Sequence, residues 1–342
     1  MTPITIYDIA KEANVSVSTV SRVLNDTAPV RASTREKIMS IIEKHQFQPN
    51  AQARSLIKKE TGTIAIILPD ITNPFFPEVF WGAENEARGL GYTFFLCNTA
   101  GDYSRESEYL SILREKRVDG IIFLGGRINM QVCPDEMAQE LIDMGKRMPI
   151  VLVNGNIAKG GFHRVYTDEG AGAVLAAEHL LELGHRDIAF VGGLKELSTT
   201  MVKVKAIQKK LREHGLEIPK ERQLLGSFSI EDGKREMSKL LDRGNPPTAV
   251  ICVNDYTAIG AIKATIEHGL SIPKDISIVG FDDTPLASAV IPELTTVSQN
   301  TYQLGKLAVD KLHELINQGN PKKQTILQPE LVVRQSTGPA PR

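Results

Sequence analysis

The 342 residues of this chain exceed the ~100–200 residues of a typical domain and predict two or three domains. A composition with 42% apolar and 24% charged residues is typical of a globular protein, and no apolar run reaches the ~18 residues of a membrane-spanning helix. The net charge is −1, yet residues 1–59 contain nine Lys and Arg against five Asp and Glu, and a basic N-terminal segment on an acidic remainder indicates contact with a polyanion.

Three short helices are predicted in the first fifty residues. Thr5 and Asp8 have the spacing of a capping box and predict the start of the first helix. Ser16 is expected to cap a second helix over residues 17–24, and residues 33–36 form a second capping-box pattern that predicts a third helix. Apolar residues at helical spacing give each helix an inner face: Ile6, Ile9, Ala10 and Ala13, then Val20, Val23 and Leu24, then Ile38, Ile41 and Ile42.

Two of these helices, joined by a tight turn at residues 14–16, fit a helix-turn-helix. Because the second helix of that motif enters the major groove, Val17, Ser18 and Arg22 are candidates for contacting thymine methyl groups, base edges and guanine. A generic three-helix bundle remains the alternative. Hydroxyl and amide side chains nearby are candidates for phosphate contacts: Thr5, Tyr7, Ser16, Thr19, Ser21, Asn25, Thr34 and Asn50.

A hinge is predicted over residues 50–60. Residues 49–56 favour a helix of about two turns with Asn50 as its cap. Isolated helices shorter than ~12–15 residues are marginal in water. We therefore expect this segment to fold when it binds DNA.

From Gly62 onward, strand-like and helix-like segments alternate, which predicts parallel sheets with helices on both faces. The apolar runs are continuous, as buried parallel strands require. About 280 residues exceed one doubly wound sheet, so two lobes are expected. The predicted strands are 63–68, 92–97, 120–124, 150–153, 188–191, 249–253 and 276–281, and the predicted helices are 75–89, 103–116, 169–183, 200–214, 229–242 and 255–268.

Ligands of open α/β sheets bind beyond the carboxyl ends of strands. Carboxylates and amides can bind paired sugar hydroxyls there, and an aromatic face can cover the apolar side of a sugar ring. For Asp255 we favour a role as a helix N-cap over a ligand contact. Of Phe75 and Phe76, one is expected in the core and one in the pocket. The candidates that follow predicted strands are Phe75, Phe76, Asn154, Asn254, Asp255 and Asp282.

Sequence motifs recur in both predicted parts of the chain, at 5–10, 15–16, 19–25, 34–38 and 49–51 in the head and at 69–70, 73–76, 118–122, 184–185, 188–189, 254–255, 258–260 and 279–283 in the core. These motifs closely resemble the lac repressor/galactose repressor family of bacterial transcriptional regulators. The resemblance implies a dimeric repressor that binds a pseudo-palindromic operator, with a core similar to a periplasmic sugar-binding protein. It also implies a small effector, a sugar or sugar derivative, between two lobes that exchange strands near 161–166, 291–298 and 325–329.

The resemblance also implies roles for single residues. Ala53 and Leu56 match the minor-groove wedge of the family, although Leu56 could instead pack against Ile57 or Ile64. Helix 75–89, which carries Trp81, matches part of the subunit interface. The chain ends without a leucine heptad, which favours a homodimer over a tetramer.

In the core, Asn154, Asn254 and Asp282 match effector contacts of the family. Lys203 stands where the family has an Arg, and Ala206 stands where a Gly is usual. A lysine keeps the positive charge but lacks the planar fork of a guanidinium. The class of effector is therefore left open.

The fold class that follows is α/β: an N-terminal all-α helix-turn-helix headpiece and a two-lobed, periplasmic-binding-protein-like core of parallel sheets. The predicted domains are a DNA-binding domain at 1–49, a hinge at 50–60, lobe one at 61–163 with 292–325, and lobe two at 164–291 with 326–342.

Three alternatives are weighed. A stand-alone sugar-binding protein is disfavoured by the helix-turn-helix and by the lack of a signal-peptide pattern. An enzyme is disfavoured because residues 170–175 lack the third glycine of a dinucleotide fingerprint and no other catalytic motif is visible. A global carbon regulator with a phosphoprotein corepressor stays open. Few, scattered cysteines indicate a cytoplasmic protein, and we expect no cofactor, metal or membrane partner.

Overall fold

A computed structural model describes residues 4–25, 28–47 and 60–341. The chain divides after Gly62 into an N-terminal unit, the headpiece, and a core that begins at Thr63. The predicted hinge lies outside the described residues except for Glu60. Within the described parts, no helix combines the length and the apolar character needed to cross a bilayer.

The headpiece contains α1 (Ile6–Ala13), α2 (Val17–Asn25) and α3 (Ala32–Lys44). The N–H of Thr5 donates to Asp8 Oδ2 at 2.9 Å, so the predicted capping box forms. The N–H of Thr19 donates to Ser16 Oγ at 3.2 Å, so Ser16 caps α2 as predicted. The inner faces meet in one small core of Ile9, Ala10, Ala13, Val20, Val23, Ile38 and Ile41.

The prediction of a second capping box at residues 33–36 is wrong. Helix α3 begins at Ala32, and its N-cap is Arg31, whose side chain makes no capping hydrogen bond. The N–H of Thr34 donates to the carbonyl of Arg31 at 3.0 Å. Because Ser33 already lies within the first turn, its hydroxyl is past the position from which a cap acts.

The core is built from twelve strands and eight α-helices among residues 63–341. In chain order they are β1 (Thr63–Leu68), α4 (Phe75–Gly89), β2 (Thr93–Asn98), α5 (Tyr103–Lys116), β3 (Gly120–Leu124), α6 (Asp135–Gly145), β4 (Ile150–Val153), β5 (His163–Thr167), α7 (Glu169–Glu182), β6 (Ile188–Val191), α8 (Ser198–Glu213), β7 (Gln223–Leu224), α9 (Ile230–Leu241), β8 (Ala249–Cys252), α10 (Asp255–Glu267), β9 (Ser277–Asp282), β10 (Thr295–Ser298), α11 (Thr301–Ile316), β11 (Gln324–Leu327) and β12 (Glu330–Val332).

Two six-stranded sheets define two lobes. Lobe one has the strand order β11-β5-β4-β3-β1-β2 and is parallel throughout. Helices α4 and α11 cover one face of it and α5 and α6 the other. Lobe two has the order β12-β10-β9-β8-β6-β7, with only β12 antiparallel. Helices α7 and α8 cover one face and α9 and α10 the other.

Burial explains why the central strands were recognisable. Every residue of β3, β4, β6, β8 and β9 is buried, because helices cover both faces of each sheet. The edge strand β2 differs, since Phe95 and Leu96 are exposed. Helices α4 and α11 approach backbone to backbone at Gly305, where an added Cβ would overlap the carbonyl of Val79.

The predicted lobe boundaries at 163, 291 and 325 fall too early. Strand β5 pairs with β4 in lobe one, although most of it was assigned to lobe two. Strand β10 pairs with β9 in lobe two, although it was assigned to lobe one. Strand β11 extends lobe one to Leu327. Each error has the same cause, because membership of a sheet is set by the hydrogen-bonded neighbour and not by the composition of the strand. Helices α6 and α11 were not predicted.

Candidate functional site

Helix α2 carries the candidate base-reading residues. Ser18 and Arg22 are exposed and lie four residues apart, so they share one face of the helix. Val17 is half-buried and packs against the headpiece core, which leaves less of its side chain for a thymine methyl group. Ser16 Oγ lies 2.8 Å from both Ser18 Oγ and Thr19 Oγ1, so these hydroxyls form a hydrogen-bonded cluster at the start of the helix.

The candidate phosphate contacts differ in exposure. Thr5, Tyr7 and Ser16 are exposed, whereas Thr19, Ser21 and Thr34 are half-buried. Four candidates lie outside what the structure describes: the side chain of Asn25, and the residues Asn50, Ala53 and Leu56.

In the core, the two lobes enclose a cavity of about 480 Å³. The carboxyl ends of β1, β4, β8 and β9 meet at this cavity, because parallel strands of one sheet all end at the same edge. All six predicted effector residues line it: Phe75, Phe76, Asn154, Lys203, Asn254 and Asp282.

A buried chain of hydrogen bonds links the two walls of the cavity. Asn154 Nδ2, from lobe one, donates to Gln299 Oε1 at 2.9 Å. Gln299 Nε2 in turn donates to Asp282 Oδ1, from lobe two, at 2.7 Å. Asn154 Oδ1 accepts the N–H of Thr167 at 2.9 Å. The amide of Gln299 thus bonds both the side chain that follows β4 in lobe one and the side chain that ends β9 in lobe two.

Two of these residues have unusual backbone geometry. Asn154 has a φ of 49° and Asp282 a φ of 112°, in the region that favours glycine. Such strain often accompanies functional sites, where the surrounding structure holds it in place. Burial raises the pKa of the Asp282 carboxyl well above its usual value, and the nearby Lys203 charge opposes this rise.

Lys203 lies on the lobe-two wall of the cavity. Its Nζ is 2.9 Å from Glu169 Oε1, donates to the carbonyl of Val253 at 3.3 Å, and sits 3.9 Å from the centre of the Phe281 ring. Both members of the ion pair are largely buried, with side chains 6% and 12% exposed. The positive charge predicted at this position is therefore present, but it is paired within the protein.

The N-cap interpretation of Asp255 is wrong. Asn254 caps α10, and its Oδ1 accepts the N–H of Thr257 at 2.9 Å. Asp255 lies one residue later and is fully buried, where its carboxylate accepts from the N–H of Thr284 at 2.7 Å and from Thr296 Oγ1 at 2.5 Å. Burial raises the pKa of Asp255 to about 6, against the lowering effect of these hydrogen bonds. The capping signal belonged to the neighbouring residue.

The two phenylalanines divide as expected in burial. Phe75 is buried in the lobe-one core and Phe76 is half-buried, and their rings meet edge to face with centroids 5.2 Å apart. Both contribute to the cavity wall.

A clasp, formed by residues 130–131 of lobe one and 195–197 of lobe two, joins the lobes beside the cavity. Met130 and Leu197 form an isolated antiparallel bridge. The N–H of Gln131 donates to the carbonyl of Glu196 at 2.9 Å. Elsewhere between the lobes, Tyr256 Oη donates to the carbonyl of Thr72 at 2.9 Å. The lobes are therefore in direct contact in this structure.

Sequence reasoning missed Glu169 and Gln299. Gln299 follows β10 directly, but residues 295–298 are not among the strands predicted from the apolar pattern, so no strand end pointed to this residue. Glu169 opens α7 and reads in the sequence as an ordinary first-turn acid. Only the fold shows that it meets Lys203.

Comparisons with known proteins find matches for both the headpiece and the core. The family model described as bacterial regulatory proteins, lacI family, matches residues 5–50. A model of a periplasmic binding protein-like domain matches residues 177–337. The two matches define a class of transcriptional regulators that join a DNA-binding head to a solute-binding type of core.

Relatives extend the likeness over nearly the whole chain. The HTH-type transcriptional regulator DegA of Bacillus subtilis (strain 168) is 38% identical over 342 residues, covering 98% of both chains. Catabolite control protein A of Priestia megaterium is 35% identical, covering 98% of this chain and 99% of its own. The lac repressor dimer bound to operator and the anti-inducer ONPF superimposes with a TM-score of 0.88 at 28% identity, covering 98% of this chain and all of that one.

The chain belongs to the lacI family of bacterial regulatory proteins, and it is a helix-turn-helix transcriptional regulator. This confirms the predicted family, fold class and regulatory function. The relatives named above are regulators and not enzymes. Among residues 4–25, 28–47 and 60–341, no group of three or more His, Cys, Asp or Glu could hold a metal ion.

Proposed function

We propose that this protein is a homodimeric repressor whose affinity for a pseudo-palindromic operator is set by a small sugar or sugar derivative bound between the lobes. The observation that carries the proposal is the convergence of six separately predicted residues on one cavity between the lobes. Exposed Ser18 and Arg22 on α2 provide the surface for reading bases.

The chemistry of the cavity suits a sugar. Asp282 presents a second carboxylate oxygen beyond the one bound to Gln299, and a carboxylate can accept from sugar hydroxyls. The half-buried ring of Phe76 offers an apolar surface for one face of the sugar. A volume of about 480 Å³ lies within the usual range for small-molecule sites.

Dimerisation fits an apolar edge of lobe one. Trp81 on α4 is 56% exposed, and Phe95 and Leu96 on the neighbouring edge strand β2 are also exposed. Exposed apolar residues beside an unpaired strand edge are typical of an interface. Two linked headpieces would match the two halves of a palindromic site.

Coupling between effector and operator would run through residues 50–60. In this proposal Asn50 contacts phosphate and Ala53 and Leu56 enter the minor groove. A change in the contact between the lobes would alter the separation of the two hinges in the dimer, and with it the affinity for the operator.

Selection of duplexes from a random library with the purified full chain tests the DNA-binding half of the proposal. We expect enrichment of a pseudo-palindromic site and a strong fall in affinity with salt. Recovery of no preferred duplex, with or without candidate sugars, would contradict it.

The effector half is tested with Asp282→Ala. A sugar panel should raise the melting temperature of the full-length wild-type protein and shift its operator affinity, because a ligand stabilises the state that it binds. Asp282→Ala should abolish both responses and retain operator binding. Asp283→Ala is the matched control, since Asp283 pairs with Arg334 at 2.7 Å and does not line the cavity. An unchanged response in Asp282→Ala would place the effector elsewhere.

The likeness to catabolite control protein A keeps one alternative open, a global carbon regulator with a phosphoprotein corepressor. A pull-down with the phosphorylated carrier protein separates it from a regulator that needs a small effector only.

A further inference from the structure

The cavity between the lobes has an uneven balance of charge. Among its described lining residues, Lys203 is the one cation, whereas Asp70, Glu169 and Asp282 are carboxylates. Asp70 is engaged locally, because its Oδ1 accepts from the N–H and the hydroxyl of Thr72 at 2.9 and 2.6 Å. A bound solute could pair with Lys203 only if the ammonium group of that lysine were free.

The contacts of Lys203 show that its ammonium group is already occupied. Glu169 Oε1 lies 2.9 Å away, the carbonyl of Val253 accepts at 3.3 Å, and the Phe281 ring lies beneath Nζ at 3.9 Å. A buried ammonium is stable only when its charge is compensated, and here the compensating group is Glu169. The pair is neutral as a unit.

An anionic solute would therefore give up its water in a cavity that offers no free cation in exchange. Asp282 is 6% exposed, and its carboxyl group supplies no positive charge in either protonation state. An uncharged solute rich in hydroxyl groups can instead donate to the carboxylate oxygens. The same cavity thus discriminates by charge as well as by shape.

We propose that Glu169 determines the effector specificity: by neutralising Lys203 it excludes sugar acids and sugar phosphates and leaves the cavity to uncharged polyhydroxy solutes. This inference rests on the proposed function, in that it takes the cavity as the effector site. It assigns to Glu169 a role in selecting the effector and not in positioning the lobes.

Glu169→Gln tests the proposal, with inorganic phosphate as the probe at constant ionic strength. Removal of the carboxylate leaves Lys203 as an unpaired cation at the cavity wall, so the variant should bind phosphate at least about tenfold more tightly than the wild type in calorimetry, a difference of about 1.4 kcal/mol. Its melting temperature should rise with phosphate while that of the wild type does not.

Two controls match this change. Glu178→Gln removes a partner of Lys210 on the same two helices, where Glu178 is 41% exposed and Glu213 also pairs with the lysine. It should leave phosphate binding at the wild-type level. Adding Lys203→Met to Glu169→Gln should abolish the gain, which shows that the phosphate binds at this lysine.

Phosphate binding by the wild type as tight as by Glu169→Gln, or no gain in Glu169→Gln, would overturn the proposal. If Glu169→Gln is unfolded in buffer, recovery of its circular dichroism with phosphate gives the same answer, and Glu169→Asp, which keeps the charge, should fold and bind no phosphate. These readouts need no operator and no sugar. They can therefore succeed or fail independently of the proposed function.

Discussion

The headpiece and the core use the same kind of side chain in opposite ways. Arg22 lies exposed on α2. Arg127 follows β3 in the core and is fully buried, with Nε 2.6 Å from Glu106 Oε2 and Nη1 2.6 Å from Glu140 Oε2. Water surrounds the first guanidinium, so it can exchange water for a base or a phosphate. The guanidinium of Arg127 is buried and paired with carboxylates of lobe one, so its role is to maintain the shape of that lobe.

The same contrast holds for amides and hydroxyls. Ser18 on α2 is exposed, whereas Gln299 in the core is 2% exposed and bonded at both ends. In the headpiece, function resides in side chains that the fold leaves accessible. In the core, function resides in buried side chains whose positions are already set by hydrogen bonds within the protein.

The largest expected effect is on stability, at Arg127. Arg127→Met should lower the free energy of unfolding of the core by about 3–5 kcal/mol, because it leaves Glu106 as an uncompensated buried carboxylate. Burial already raises the pKa of the Glu106 carboxyl, against the lowering effect of Arg127. Urea denaturation followed by circular dichroism measures the loss.

Arg105→Met is the control for that change. Arg105 lies 3.9 Å from Asp102 with both side chains about half exposed, so its removal should change stability by less than about 0.5 kcal/mol. If the two variants lost the same free energy of unfolding, the buried, paired Arg127 would not differ in its contribution from the exposed Arg105.

The next effect is on DNA recognition, at Arg22. Arg22→Ala should weaken operator binding by about 1–3 kcal/mol and relax the preference at one base position, because a bidentate contact to guanine is lost. The melting temperature should stay unchanged, since Arg22 is exposed. Lys11→Ala, an exposed change on α1, should leave base preference intact. A duplex selection that returned the same base preference at every position for Arg22→Ala would show that Arg22 does not read bases.

The smallest effect is on the pH dependence of stability, at His185. Its side chain is fully buried, with Nε2 3.0 Å from the carbonyl of Gly338. Burial lowers the pKa of this imidazole below its ordinary 6.5. The folded state then binds fewer protons than the unfolded state, so the stability that His185 contributes above pH 6.5 is lost as the pH falls. His185→Gln should lose less stability than the wild type between pH 7.5 and pH 5.5, measured by thermal unfolding.

His268 should affect the pH dependence of stability in the opposite direction. Hydrogen bonds to the carbonyl of Ala264 and to Asp242 raise its pKa, so it contributes stability below its ordinary pKa that is lost as the pH rises. His268→Gln should therefore lose more stability on acidification than the wild type. Asp255 titrates in the same window, but it is present in both variants and cancels in the comparison. Parallel pH profiles for the two variants would contradict these assignments.

Much of the fold was predictable because buried parallel strands leave continuous apolar runs, as in 120–124 and 150–153. Asn154 and Asp282 were predictable from their places at strand ends. The pairing of Glu169 with Lys203 was not, because the two residues lie on different helices and Glu169 reads in the sequence as an ordinary first-turn acid. The burial of Arg127 was hidden for the same reason. The lobe assignment of β10 needed its hydrogen-bonded neighbour, which no local pattern contains.

The clasp across the cleft bears on how such a regulator could change its ligand. The bridge between Met130 and Leu197 and the bond from the Gln131 N–H to Glu196 are made by main-chain groups. Every residue type except proline, which lacks the N–H, supplies these main-chain groups. Substitutions in the cavity lining could therefore change the ligand during divergence without removing the main-chain contacts that join the two lobes.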